Sequence, residues 1–93
     1  MNRIEVLTPS IVAGILDATE TLTGVPADAM RSSLRQRRVL RARNAAAYVI
    51  RERYDIPLED LALMFNRFDH TTMINALRRA DMELVAKIRE ATA

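Results

Sequence analysis

Apolar residues in this chain recur three and four positions apart, and no stretch alternates with a period of two. A strand buries every second residue, whereas a helix buries a stripe, so the pattern admits helices packed on helices and no sheet. The prolines mark where helices begin, because a missing N–H costs nothing in a first turn. Thr8-Pro9 opens a first helix whose apolar line is Ile11, Val12, Ile15, Leu16, Ala18 and Leu22, with Gly24 as its stop. Val25-Pro26 starts a short second helix to about Ser32, with Met30 and Leu34 facing inward. Val39 to Tyr54 is a third, lined by Val39, Ala42, Ala46, Val49, Ile50 and Tyr54; its alanines let another helix approach closely. Ile56-Pro57 starts a fourth, Leu58 to Phe65, with Leu58, Leu61, Ala62 and Phe65 inward. After Asn66-Arg67-Phe68, Asp69 caps a long fifth helix to about residue 90, lined by Ile74, Leu77, Leu84, Val85 and Ile88. The expectation is one all-α domain of about five helices over residues 1–93, loose only at 1–6 and 91–93.

Several functions are excluded by what the 93 residues lack. With no Cys there are no disulfides, zinc thiolates or thiol nucleophiles. His70 stands alone, with no suitably spaced acids, so no metal site is expected. Serines 10, 32 and 33 are far from His70 in sequence and no Gly-x-Ser-x-Gly occurs, so no catalytic residues and no cofactor are expected. The longest apolar run, Ala45 to Ile50, is far short of the ~20 residues that span a bilayer. No signal peptide is visible, which makes a cytoplasmic, nucleoid-associated protein the expectation. Four aromatics offer no stacking platform for single strands.

The net charge of +2 conceals a strong asymmetry. Residues 1–30 carry one Arg and four acids, residues 31–79 eleven Arg and five acids, and residues 80–93 two basic residues and three acids. The middle segment is therefore net +6. Arg31, Arg35, Arg37, Arg38, Arg41 and Arg43 fall within thirteen residues that contain no acid. Thirteen of the fourteen basic residues are Arg, the side chain suited to bidentate contact with phosphate and guanine. Codon bias of a G·C-rich genome accounts for an excess of Arg over Lys, but not for the clustering. Arg43, Asn44, Tyr48 and Arg51 continue along one side of the third helix. Arg43 and Arg51 are eight residues apart, about 12 Å along the axis, which suits successive phosphates. The alternative is a solvated face, although stable surfaces usually mix signs. A polyanion is the natural partner.

The fourth and fifth helices, joined by three residues, have the proportions of a helix-turn-helix spanning about 57–80. Asp69-His70-Thr71-Thr72 sets four hydrogen-bonding side chains at the start of its second helix, where such motifs read base edges. Thr71, Asn75 and Arg78 share one face at spacings of four and three. The plain alternative is a capped helix with Asp69 as cap and the threonines on the surface.

These residues resemble the C-terminal DNA-binding domain of the bacterial replication initiator DnaA. The likeness runs from about Leu16 to Leu84 and is carried by Asp69-His70-Thr71-Thr72 with Ala76 and Arg78-Arg79, by Arg41-Ala42-Arg43-Asn44-Ala45 at the family's Arg-x-Arg-Gln segment, and by Leu58-Glu59-Asp60-Leu61 at its helix start. The resemblance implies an all-helical reader of short asymmetric boxes in double-stranded DNA. It assigns base reading to Asp69, His70, Thr71 and Thr72, with Asn75 beside them. It assigns minor-groove entry to Arg35, with Arg37 and Arg38 near enough to substitute. It assigns phosphates to Arg41, Arg43, Asn44, Arg51 and the helix start at Leu58, and Arg78 extends that set. The chain departs from the family at Asn66-Arg67-Phe68, where Gly-Gly-Arg is usual, at Asn44 for Gln and at Ala42 for Pro. Phe68 is expected to staple against Met73.

No Gly-Lys-Thr phosphate loop occurs, so nucleotide binding and ATP hydrolysis are not expected. The leading expectation is the DNA-binding module of a bacterial or phage-type transcription regulator, such as an activator of gene-transfer agents, with RNA polymerase or a further domain of a longer chain as partner. The alternatives are a replication factor competing for initiator boxes and a helical protein-interaction module. Residues 80–93, nearly neutral, are expected to project from the DNA and either pack on the core, dimerise or lead to a further domain.

Overall fold

The computed structural model describes residues 9–32, 34–54, 56–65 and 70–93, with side chains of Pro9, Ser10 and His70 left aside. All regular structure among these residues is helical. The helices are α1 (Pro9–Thr23), α2 (Ala27–Met30), α3 (Arg37–Tyr54), α4 (Leu58–Met64), α5 (His70–Arg78) and α6 (Met82–Ala91). The helical reading therefore holds, with six helices among the described residues where about five were expected.

The difference lies in the last expected helix, which is two. Asp81 interrupts it with extended backbone, and its carboxylate accepts from the amides of Glu83 (3.0 Å) and Leu84 (3.3 Å). Those amides are orphan donors of a new N-terminus, and Asp is among the best residues to satisfy them. The chain leaving α5 tightens first, with the Ala80 amide donating to the Leu77 carbonyl (3.3 Å). At the other end Ala91 belongs to α6 and Thr92 closes it by donating from Oγ1 to the Ile88 carbonyl (2.7 Å). Residues 91 and 92 are thus tied down rather than loose, whereas residues 1–6 lie outside the described set.

Helix α1 ends where sequence placed its stop. Gly24 has φ +75°, a left-handed conformation that a Cβ would strain, and its amide donates to the Glu20 carbonyl (2.7 Å). Helix α2 begins after Pro26, and the Glu20 side chain accepts from its first amide, Ala27 (2.9 Å).

Helix α3 is the hub, in contact with α1, α2, α5 and α6. Ala42, Ala45, Ala46, Ala47, Val49 and Ile50 on it are fully buried. Three consecutive buried alanines mean that neighbours close on it from more than one side, which only a side chain of this size permits. Val12, Ile15 and Leu16 of α1, Met30 of α2, Val39 of α3 itself, Leu61 and Ala62 of α4, Met73 of α5, Leu84, Val85 and Ile88 of α6, and Val25, Ile56 and Phe65 between helices complete the core. Leu34 and Leu22, expected inward, are 46% and 42% exposed. Leu34 lies between helices, where helical spacing has no bearing, and Leu22 sits in the last turn of α1.

Helix α6 packs on the core and is fastened to α3 at both ends. Arg41 pairs with Asp81 (2.7 Å) at one end. At the other, Arg89 grips both carboxylate oxygens of Glu52 and lies 5.9 Å from the Tyr48 ring centre. These hydrogen bonds hold the Asp81 and Glu52 carboxyls below their ordinary pKa values.

Candidate nucleic-acid interface

Helices α4 and α5 pack on one another, and α5 also packs on α3. The inner side of α5 is set by Met73, which is fully buried, and by half-buried Ile74 and Leu77. Burying that stripe leaves Thr71, Thr72, Asn75 and Arg78 exposed together on the other side. Three of the expected base readers, Thr71, Thr72 and Asn75, are thus brought onto one solvent face with Arg78, expected at phosphates. His70 is the first residue of α5. Asp69, and the expected staple of Phe68 on Met73, lie outside the described residues, as does the turn at 66–69.

The second expected component is the loop before α3. Arg35 and Arg37 are exposed. This loop lies against the helix-turn-helix, because Arg31 Nε donates to the carbonyl of Met64 (2.9 Å), the last residue of α4. The loop carrying Arg35 therefore starts beside the C-terminal end of α4.

The basic run proves to be two populations. Among the described arginines, seven donate hydrogen bonds within the protein. Arg38 reaches the Gly24 carbonyl (3.3 Å), Arg51 the Ile56 carbonyl, and Arg53 the carbonyls of Arg89 (3.0 Å) and Thr92 (3.2 Å). Arg31 takes Met64, Arg41 takes Asp81 and Arg89 takes Glu52. Arg43 is the extreme case. It is 3% exposed, and its guanidinium donates to the carbonyls of Met30 (2.6 Å), Ser32 (3.0 Å) and Leu34 (2.9 Å), with Ala29 at 3.5 Å. Its Nε and Nη2 donors are engaged inside the fold, and only 3% of the residue is exposed for the phosphate contact expected of it. Helix periodicity put Arg43 beside Arg51 correctly; it could not show that α2 and its loop lie over that part of the helix.

Arg35, Arg37, Arg78 and Arg79 make up the second population, exposed and without a partner among the described residues. Arg79 was absent from the expected site, although it stands seven residues after Thr72 and four after Asn75, a spacing that marks the same helical face. Asn44 is half-buried on α3 without a hydrogen-bond partner among the described residues, so its amide is available. Leu58 is half-buried at the start of α4, where Glu59 and Asp60 already occupy the positive end of the helix dipole. An approaching phosphate meets those two carboxylates there. Among the described residues no group of His, Asp and Glu could hold a metal ion, and no helix is long and apolar enough to cross a membrane.

The geometry is thus an exposed polar face on α5 and an arginine-bearing loop tied to the end of α4, both anchored on α3. Residues 12–80 match the family described as bacterial dnaA protein helix-turn-helix. The chain is similar to the chromosomal replication initiator protein DnaA of Corynebacterium aurimucosum, with 33% identity over 72 residues, which are 77% of this chain and 13% of that protein. The chain thus spans about an eighth of the length of this relative. By the extent of these matches, the chain belongs to the bacterial DnaA helix-turn-helix family.

Proposed function

We propose that this domain binds double-stranded DNA sequence-specifically, with α5 in the major groove and the Arg35 loop in the adjacent minor groove. The observation that carries this reading is the polar face of α5 within a chain of the DnaA helix-turn-helix family. Thr and Asn side chains donate and accept, Thr also contacts the thymine methyl group, and Asn pairs with adenine through two hydrogen bonds. Thr71, Thr72 and Asn75 are the base readers on this reading, preceded by Asp69 and His70. Arg37, Arg78, Arg79 and Asn44 hold phosphates, which fix register without specifying sequence. Selection of bound duplexes from a random pool tests the proposal: enrichment of one short asymmetric site supports it, and recovery of unselected sequence refutes it.

The role of this binding is transcriptional regulation, in which a compact reader positions other factors at promoters. A second reading is favoured by the similarity to a replication initiator: the domain occupies initiator boxes and competes for them. Mapping occupancy across the genome separates the two, since sites confined to the origin support competition and promoter sites support regulation.

A further inference from the structure

Arg43 is a buried cation held by backbone carbonyls. Its guanidinium donates to the carbonyls of Met30, Ser32 and Leu34, with Ala29 farther off. A guanidinium at 3% exposure is costly unless every contact is well made. Three of these carbonyls lie past α2 or end it, so Arg43 also sits at the negative end of that short helix.

The arrangement has a directional consequence. The Leu34 carbonyl belongs to the same planar peptide unit as the Arg35 amide. Holding that oxygen at 2.9 Å fixes the plane from which Arg35 departs. Ser32 adds to the same lock, because its Oγ donates to the Ala29 carbonyl (2.6 Å) and accepts from the Leu34 amide (3.2 Å). Upstream, Arg31 ties the loop to the last carbonyl of α4. The loop is therefore wound around one side chain of α3 and pinned to the helix-turn-helix, while Arg35 itself is exposed and unpaired.

We propose that Arg43 is a positioning residue: it does not touch DNA but clamps the Ser32 and Leu34 carbonyls so that Arg35 is presented in one fixed direction. The proposal rests on the DNA-binding reading above. Its benefit is entropic, since a loop ordered before association spares the cost of ordering it on the duplex. Lysine cannot replace Arg43 here, because an ammonium lacks the planar fork that reaches several carbonyls at once.

A double-mutant cycle on the selected duplex tests this, using anisotropy of a labelled site with Arg35→Ala, Arg43→Lys and the pair. Loss of a minor-groove arginine is expected to weaken binding by about tenfold. Arg43→Lys, which keeps the charge, is expected to cost a similar factor. The pair should be no worse than Arg35→Ala alone, because a clamp has nothing left to position. Multiplying losses, about a hundredfold for the pair, would show Arg43 acting on DNA directly and overturn the proposal, while the DNA-binding reading stands. A second variant leaves Arg43 and its carbonyls intact: two glycines inserted between Leu34 and Arg35. It should keep the wild-type melting temperature and bind as weakly as Arg35→Ala; wild-type affinity would overturn the clamp. In the free protein, Arg43→Lys should lower the amide order parameters of Arg35 and Gln36 from about 0.85 towards 0.6, and unchanged values would refute it. A wild-type domain that binds no duplex overturns the DNA-binding reading and this proposal together.

Discussion

The division of the arginines gives a quantitative expectation for salt. Binding to duplex DNA releases about 0.9 counterion per phosphate neutralised, so log K falls linearly with log salt. Counting all eleven arginines of residues 31–79 would predict a slope of about −10. The structure removes most of these: Arg31, Arg38, Arg41, Arg43, Arg51 and Arg53 are hydrogen-bonded within the fold, and Arg67 lies outside the described residues. Among the described residues Arg35, Arg37, Arg78 and Arg79 remain, for a slope of about −4.5 with Arg67, or about −3.6 from these four. Raising salt from about 50 to 200 mM should then weaken binding roughly 150-fold. Fluorescence anisotropy across that range measures it directly. Arg78→Ala with Arg79→Ala should flatten the slope by about 1.8. A wild-type slope near −10 would mean that the internal arginine bonds are surrendered on binding, and a slope near zero would remove phosphate contact altogether. Either result refutes the partition.

Three further outcomes test other parts of the structure. Thr72→Ala and Asn75→Ala should each cost about 1–3 kcal/mol on the preferred duplex and relax preference at one position, measured by competition with single-base variants. Ile50→Val, in the fully buried part of α3, should lower stability by about 0.5–1.5 kcal/mol in urea denaturation, whereas Leu63→Ala, 63% exposed, should fall within about 0.5 kcal/mol of wild type. The Glu52 and Asp81 carboxyls are held below their ordinary values of 4.5 and 3.8 by hydrogen bonds from Arg89 and Arg41. A lowered folded pKa stabilises above the unfolded value and is lost as pH falls through the folded one, so the melting temperature should be flat near neutrality and decline below about pH 5. Arg89→Met should reduce that decline.

Helix starts were legible because Pro26 and Pro57 stand where they cost nothing, and the stop at Gly24 because only a residue without Cβ is at ease there. The exposed face of α5 was legible from spacing alone, since Thr71, Asn75 and Arg78 must point away from Met73. The break before α6 was not. Ile74, Leu77, Leu84, Val85 and Ile88 fit a single continuous stripe, and that stripe outweighs the cap that Asp81 offers. What decides that position is tertiary: Arg41, forty residues away, meets the same carboxylate. The fate of Arg43 was hidden for a similar reason. Its acceptors are nine to fourteen residues upstream on a loop whose path no local pattern describes.

That path also explains why the basic residues are arginines. Helices end with carbonyls that no intrahelical amide can reach, at the negative end of the dipole. An arginine covers such carbonyls at or just past five of the six helices: Arg38 at Gly24, Arg43 at Met30, Arg51 at Ile56, Arg31 at Met64 and Arg53 at Arg89 and Thr92. The exception among the described helices is α5, whose terminal arginines, Arg78 and Arg79, are left to solvent. Codon bias and DNA contact therefore share the excess of Arg with a third cause, the closing of helix ends. The three causes respond differently to lysine. Arg37, Arg78 and Arg79 changed together to Lys should leave the melting temperature and the salt slope nearly unchanged, because a phosphate accepts either cation. Arg31, Arg43 and Arg53 changed together to Lys should each forfeit about 1 kcal/mol or more of charge-assisted hydrogen bonding, which is about 4–8 °C apiece in a domain of this size. Equal melting temperatures for the two triple variants would show that charge alone matters and that the fork geometry at the helix ends does not.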